Sequence, residues 1–219
     1  MSVRIGVLGT GIVGVSIGSA LVDRGHEVRM GSRSADNPAA AEWSRGQGER
    51  ASAGTFADAA AFGELVVNCV SGAGAVAAVT SAAPGLAGKL LIDVSNPLEF
   101  PPGAPPTLFV GIGDSLGERV QRAVPEARVV KALNTMTCTV MVDPGRVAGD
   151  HVAFVCGDDP EAKSRTIALL EELGWPAERV LDIGDLAGAR ATEAYLLLWL
   201  RLMAAVGGAE FNVAVARRA

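Results

Sequence analysis

Three glycines near the N-terminus are spaced as G-x-G-x-x-G, in the run Gly9-Thr10-Gly11-Ile12-Val13-Gly14. An apolar stretch, Val3 to Leu8, precedes them, and a helix-forming stretch, Ile12 to Arg24, comes after. In that setting each glycine has a physical task. The first allows a tight turn, the second lets the backbone approach a pyrophosphate, and the third lets the helix pack closely on the strand. The start of such a helix offers unpaired amides and a partial positive charge to phosphate oxygens. The chemistry these residues suit is the holding of a dinucleotide.

The end of the second strand bears on which dinucleotide. An NAD site places Asp or Glu there to accept from the ribose hydroxyls, and that acid would repel a 2′-phosphate. This chain reads Gly31-Ser32-Arg33-Ser34 instead. Gly31 leaves room, Ser32 and Ser34 supply hydroxyl donors, and Arg33 can pair with a phosphate and stack on adenine. The cofactor expected is NADP(H). Ligands of such folds lie beyond the carboxyl ends of the strands. Three further groups are therefore candidates for the nicotinamide half: Val70-Ser71-Gly72, Ser95-Asn96-Pro97 and Asn134-Thr135-Met136. Asn96 or Asn134 could fix a carboxamide, and either could equally be a turn or capping residue.

Candidates for acid–base work are few. Lys131 and Asn134 form a K-x-x-N pair and are the two residues considered for catalysis. Lys131 falls in an expected strand, however, where positions 131 and 134 do not share a face. Cys138 has no histidine nearby in sequence to activate it. Tyr195 is the one tyrosine and lies in an apolar helix, with no Tyr-x-x-x-Lys. His26, His151 and three scattered cysteines show no metal-ligand spacing, so no metal site is expected. Hydride transfer between two juxtaposed redox rings needs less of a proton relay than reduction of a ketone or imine does.

The elements that must position these residues are read from hydrophobic runs and punctuation. Strands are expected at Val3–Leu8, Glu27–Met30, Leu65–Val70, Leu90–Val94, Arg128–Leu133, Val152–Cys156 and Arg179–Ile183. Helices are expected at Ile12–Arg24, from Pro38 behind an Asn37 cap, at Val76–Ala83, from Ser115 to Val124, from Pro160 behind Asp159 to Leu173, and at Leu186–Val206. The run SNPLEFPPGAPP reads as a surface loop without regular structure. Phe211 to Ala216 reads as a final strand or an extended tail. The alternation predicts an α/β fold, Rossmann-type and doubly wound around a mainly parallel sheet. Residues 1–150 would form the NADP-binding domain. Residues 151–219 would form a small C-terminal α/β extension that completes the sheet and carries the long apolar helix.

Composition narrows the function classes. A net charge of −5 provides no basic footprint, which argues against nucleic acid. Scattered cysteines, odd in number, suit free thiols in a reducing, cytoplasmic setting. The charge-free stretch Ile5 to Val22 could pass for a membrane span, but Gly6, Gly9, Gly11, Gly14 and Gly18 fit a turn and a packed helix better. No membrane partner is expected. The apolar run Leu196 to Val206 is too greasy to stand in water unless it packs in the core, closes the crevice or meets a second subunit, and a homodimer is the expectation.

Taken together, IGVLGTGIVG, GSRS, VVKALNTM, CGDD and the long C-terminal helix resemble the NADP-dependent oxidoreductases of the 8-hydroxy-5-deazaflavin coenzyme (coenzyme F-420), over essentially the whole chain. The cytosolic reductase domains of membrane metalloreductases, which reduce metal through a flavin, are similar too. The resemblance implies Thr10, Gly11, Ile12 and Val13 at the pyrophosphate and Ser32 and Arg33 at the 2′-phosphate. It implies Val70 and Ser71 near the ribose and nicotinamide, and Asn134 and Met136 near the ring. Hydride would pass directly between nicotinamide and a deazaflavin co-substrate. The chain departs from the deazaflavin reductases at Ser71-Gly72, where they carry Pro-Trp, and at Asn134, where they carry His. An NADPH-dependent reductase of a small carbonyl or imine, and a non-enzymatic NADP(H) sensor, are the alternatives.

Overall fold

A computed structural model describes residues 2–216. Strand β1 (Arg4–Leu8) enters helix α1 (Ile12–Asp23) through the glycine turn, and β2 (Glu27–Ser32), α2 (Pro38–Gln47), β3 (Ala51–Thr55), α3 (Phe56–Phe62) and β4 (Leu65–Asn68) come next. They lead into α4 (Gly72–Ser81), α5 (Ala83–Leu86), β5 (Leu90–Asp93), β6 (Leu98–Glu99), β7 (Thr107–Leu108), α6 (Leu116–Ala123) and β8 (Arg128–Ala132). The last part holds α7 (Cys138–Val142), β9 (Ala153–Gly157), α8 (Pro160–Glu172), β10 (Val180–Asp182) and α9 (Ala189–Val206).

The described residues place eight strands in one sheet, in the order β10-β9-β8-β5-β4-β1-β2-β3. Neighbours run parallel except β8 and β9. The chain winds outward to either side of β1, so a topological switch point lies between β1 and β4, where α/β sheets bind ligands. The strands at the switch are apolar on both faces because helices cover both; β4 and β5 are buried along their whole length. Alternation along the strands splits the core into two layers. Ile5, Val7, Val67 and Ile92 cluster with Ile17 and Leu21 of α1 and Leu170 of α8. Leu8, Val66, Leu91 and Val129 cluster with Ala59 of α3, Val79 of α4 and Val120 of α6.

Local signals placed the helix starts well. Asn37 accepts a hydrogen bond from the Ala40 amide, Asp159 from Ala162 and Ser115 from Glu118. Each satisfies an amide that a helix leaves open. Among the described residues no helix is long and apolar enough to cross a membrane.

Four differences from the sequence expectations have physical reasons. β3 and α3 were not foreseen, because the strand ASAGT has no apolar run; it forms by pairing with β2 from Val28–Ala51 to Ser32–Thr55. Thr55 and Asp58 then close a reciprocal capping box at the start of α3. The proline-rich run is not wholly irregular. Leu98–Glu99 pairs with Thr107–Leu108 across a short antiparallel ladder, and two residues are too few to show a period. The aperiodic segment after β8 contains the buried helix α7, and residues 186–188 form a 3-10 turn ahead of α9 rather than its first turn. The C-terminal tail is extended and makes one antiparallel bridge, His151 with Ala214.

Candidate active site

The glycine turn has the geometry its spacing requires. Gly9 adopts φ +112°, a conformation that side chains other than glycine's resist, and its amide donates to the Gly31 carbonyl at 2.9 Å. A Cβ at Gly14 would collide with the Gly9 carbonyl oxygen, so glycine there keeps α1 close to the turn. Gly11 caps α1 without any side-chain bond, and the first turn holds no acid, so nothing opposes an anion at that helix start. Thr10 and Val13 are half-buried beside it, and Ile12 is exposed.

At the end of β2, Ser32 is buried while Arg33 and Ser34 are exposed. The Arg33 side chain makes no ion pair or hydrogen bond among the described residues. A cation with no partner, at the strand end where an NAD-type acid would stand, suits a 2′-phosphate.

The loops after β4, β5 and β8 meet across the switch point. Ser71 begins α4 with no side-chain capping bond. Gly72 lies so close to the Asn96 carbonyl that a Cβ would collide with it. Asn96 and Asn134 clasp each other: Asn96 Nδ2 donates to the Asn134 carbonyl at 2.8 Å, and Asn134 Nδ2 donates to Asn96 Oδ1 at 3.0 Å. The Pro97 carbonyl accepts from Phe109 at 3.0 Å, which ties the β6–β7 hairpin to the same loop. Leu133, just before Asn134, has φ +60°, the only non-glycine with positive φ among the described residues. A branched apolar residue held there marks a backbone bent against its preference, and the bend aims Asn134. Met136 is buried in the α1 layer of the core. Thr135, the middle residue of the group expected after β8, buries a hydroxyl with no partner among the described residues, a group that a ligand could satisfy.

Comparison with known proteins identifies relatives of this chain. Residues 4–97 match the family model described as NADP oxidoreductase, coenzyme F420-dependent. A F420-dependent NADP reductase of Methanothermobacter marburgensis is 28% identical over 209 residues, covering 91% of this chain and 92% of that protein. The metalloreductase STEAP3 of Rattus norvegicus is 30% identical over 191 residues, 87% of this chain but only 36% of that longer protein. A solved structure of a candidate F420-dependent NADP-reductase from Arthrobacter sp. FB24 superposes with a TM-score of 0.92, at 47% identity, over 99% of this chain and 100% of that one. The chain belongs to the coenzyme F420-dependent NADP oxidoreductase family. It is an NADP(H)-dependent oxidoreductase.

Beneath the crevice of this oxidoreductase lies a buried ion set that the sequence did not reveal. Lys131 Nζ contacts Asp93 Oδ2 at 2.8 Å, Glu193 Oε1 at 2.7 Å and the Ser95 carbonyl at 2.5 Å. Its three N–H donors are committed and its side chain is 0% exposed, which leaves none for a substrate. Asp93 Oδ1 also accepts from Asn68 Nδ2 at 2.8 Å and Ser95 Oγ at 2.7 Å. Glu193 accepts from the Leu116 and Gly117 amides at the start of α6, at 2.7 and 3.0 Å. Burial disfavours a charged lysine, but the carboxylates of Asp93 and Glu193 outweigh it and hold Lys131 above the ordinary lysine value. One signal was available: LLIDV and RVVKAL each bury a charge in an apolar strand, and buried charges must pair. Glu193, distant in sequence on α9, gave no such hint.

The cysteines are buried and free. Burial pushes the Cys156 thiol up to about 12, and burial with the nearby Asp93 charge also raises Cys69. Neither is a thiolate near neutral pH.

Lys131→Met would strand two buried carboxylates, and a loss of about 3–5 kcal/mol in urea unfolding is expected. A loss of about 1 kcal/mol or less, typical of an exposed pair, would refute the role assigned to the ion set. Because the folded lysine is raised, its contribution is complete below the ordinary value of 10.5 and disappears only as pH climbs through the higher folded value. Thermal melts of the wild type should therefore show an alkaline loss above that point, and the variant should lack it.

Proposed function

We propose that this enzyme binds NADPH with its pyrophosphate on the glycine turn and the head of α1, its 2′-phosphate on Arg33 with Ser32 and Ser34, and its nicotinamide among Val70, Ser71, Asn96 and Asn134. The observation that carries this reading is the end of β2, where an unpartnered guanidinium stands and no acid does. Arg33 offers a planar fork of donors to the phosphate, and the acid-free start of α1 offers amides to the pyrophosphate. The Asn96–Asn134 clasp fixes two amide groups where the carboxamide would lie.

The acceptor proposed is a deazaflavin or a related flavin-type ring. NADPH gives up a hydride, one proton with two electrons, the acceptor ring takes it, and solvent supplies the one further proton. Two observations support this. Lys131 has no free donor for a substrate oxygen or nitrogen, and direct transfer between stacked rings asks the protein for position rather than protons. The Methanothermobacter relative also bears that activity in its name.

The test is titration with NADPH and NADH, then addition of oxidised deazaflavin. Absorbance should fall together at the nicotinamide and deazaflavin bands. Arg33→Ala should weaken NADPH binding about tenfold or more and leave NADH nearly unchanged. NADPH bound tightly with neither band changing would overturn the acceptor and favour another substrate or a sensor. An Arg33→Ala variant that still prefers NADPH would overturn the phosphate site.

The protein is further proposed to act as a homodimer through α9. Its first half packs inward through Thr192, Glu193 and Leu196, while Leu197, Leu198 and Val206 are exposed by 42%, 54% and 62%. Exposed apolar side chains concentrated on one helix mark a surface that a partner covers. Light scattering should give twice the chain mass for the wild type and a monomer for Leu198→Glu. A monomeric wild type would rule the dimer out.

A further inference from the structure

The loop that would receive the 2′-phosphate carries an acid as well as a base. A serine hydroxyl has one proton to donate, and in this loop each serine's proton is held by an acceptor of the loop itself, which a phosphate must displace. Ser32 Oγ donates to the Ser34 carbonyl at 2.5 Å and accepts from the Ser34 amide at 3.2 Å. Ser34 Oγ donates to Asp36 Oδ1. The loop is held in that arrangement from its far end. Asn37 donates its amide to the Ser34 carbonyl at 3.3 Å and caps α2 through its side chain. The bond from Ser34 keeps the exposed Asp36 carboxyl below its ordinary value, so it is ionised near neutral pH.

A phosphate dianion needs donors and repels carboxylates. To engage it, Ser34 must turn its proton away from Asp36, and two negative groups must then lie on one short loop. NADH brings no phosphate to this loop, and its free ribose hydroxyls can donate to a carboxylate. The cost therefore falls on one cofactor and not on the other, which is how specificity arises.

Resting on the phosphate site proposed above, we infer that Asp36 is a specificity-determining residue: it competes with the 2′-phosphate for the Ser34 hydroxyl and restrains the preference for NADPH over NADH that Arg33 creates. The chain thus carries an attractive and an opposing group within four residues, Arg33 to Asp36. The balance between them sets how far NADH is admitted.

The experiment is calorimetric titration of the full-length wild type, Asp36→Asn, Asp36→Ala and Arg33→Ala with NADPH, NADH and adenosine 2′-monophosphate. Asp36→Asn removes the charge and keeps an acceptor for Ser34, whereas Asp36→Ala also frees the hydroxyl. NADPH and adenosine 2′-monophosphate should bind roughly threefold tighter to Asp36→Asn, and tighter again to Asp36→Ala, with NADH unchanged or weaker. The gain in Asp36→Asn should shrink as salt is raised, because the removed charge is exposed. Wild-type affinities in both Asp36 variants, with NADPH weakened in Arg33→Ala, would overturn this inference and leave the phosphate site standing. Equal tightening of NADH and NADPH would also overturn it. NADPH affinity unchanged in Arg33→Ala would overturn both readings.

Discussion

A fully buried lysine is the constraint on which the candidate-site end of this molecule depends. Lys131 cannot remain charged inside the sheet unless opposite charges meet it there. Asp93 does so from the adjoining strand, opposite it in the β5–β8 register, and Glu193 does so from α9. Each carboxylate then has oxygen capacity to spare and uses it on something else. Asp93 holds Asn68 and Ser95, and Glu193 holds the amides that open α6. Three strand ends and two helices are thereby joined at one point, under the loops that form the crevice.

The crevice inherits its shape from that joint. Lys131 draws in the Ser95 carbonyl, and the next residue, Asn96, is clasped to Asn134 beyond the end of β8. Leu133 accepts a left-handed backbone to bring Asn134 there. A binding surface assembled this way offers fixed amides and backbone rather than a mobile acid or base. Such a surface suits chemistry carried by bound redox rings, for which the protein supplies orientation and an excluded volume. The first half of α9 is tied into the same joint by Glu193, and the helix carries Leu197, Leu198 and Val206 exposed.

The features legible in the sequence were local. The glycine spacing announced the turn, since Gly14 must pass close to the Gly9 carbonyl five residues before it. Asn37, Ser115 and Asp159 announced helix starts, because a cap bonds an amide three residues ahead. Ser32-Arg33 announced an acid-free strand end. β3 was illegible because ASAGT owes its strand to β2, and the 98–99 ladder because its partner lies beyond a proline-rich stretch. At the site, Asn96, Asn134 and Thr135 could be named from their places after strands, but the Asn96–Asn134 clasp and the unpartnered Thr135 hydroxyl could not. Lys131 resembled a proton donor only while its neighbours in space were unknown.

The sequence by itself determined the alternation of strands and helices, the dinucleotide turn and the chemical character of the β2 end, because short-range sterics and hydrogen bonds decide those. Tertiary structure alone decided that Asp93, Lys131 and Glu193 are one ion set and that β9 runs against β8. The physical reason is that pairing depends on which groups share a place in space. Residues 93, 131 and 193 come to share one only after the sheet has formed, and the direction of a strand beside its neighbour is set only when the two meet.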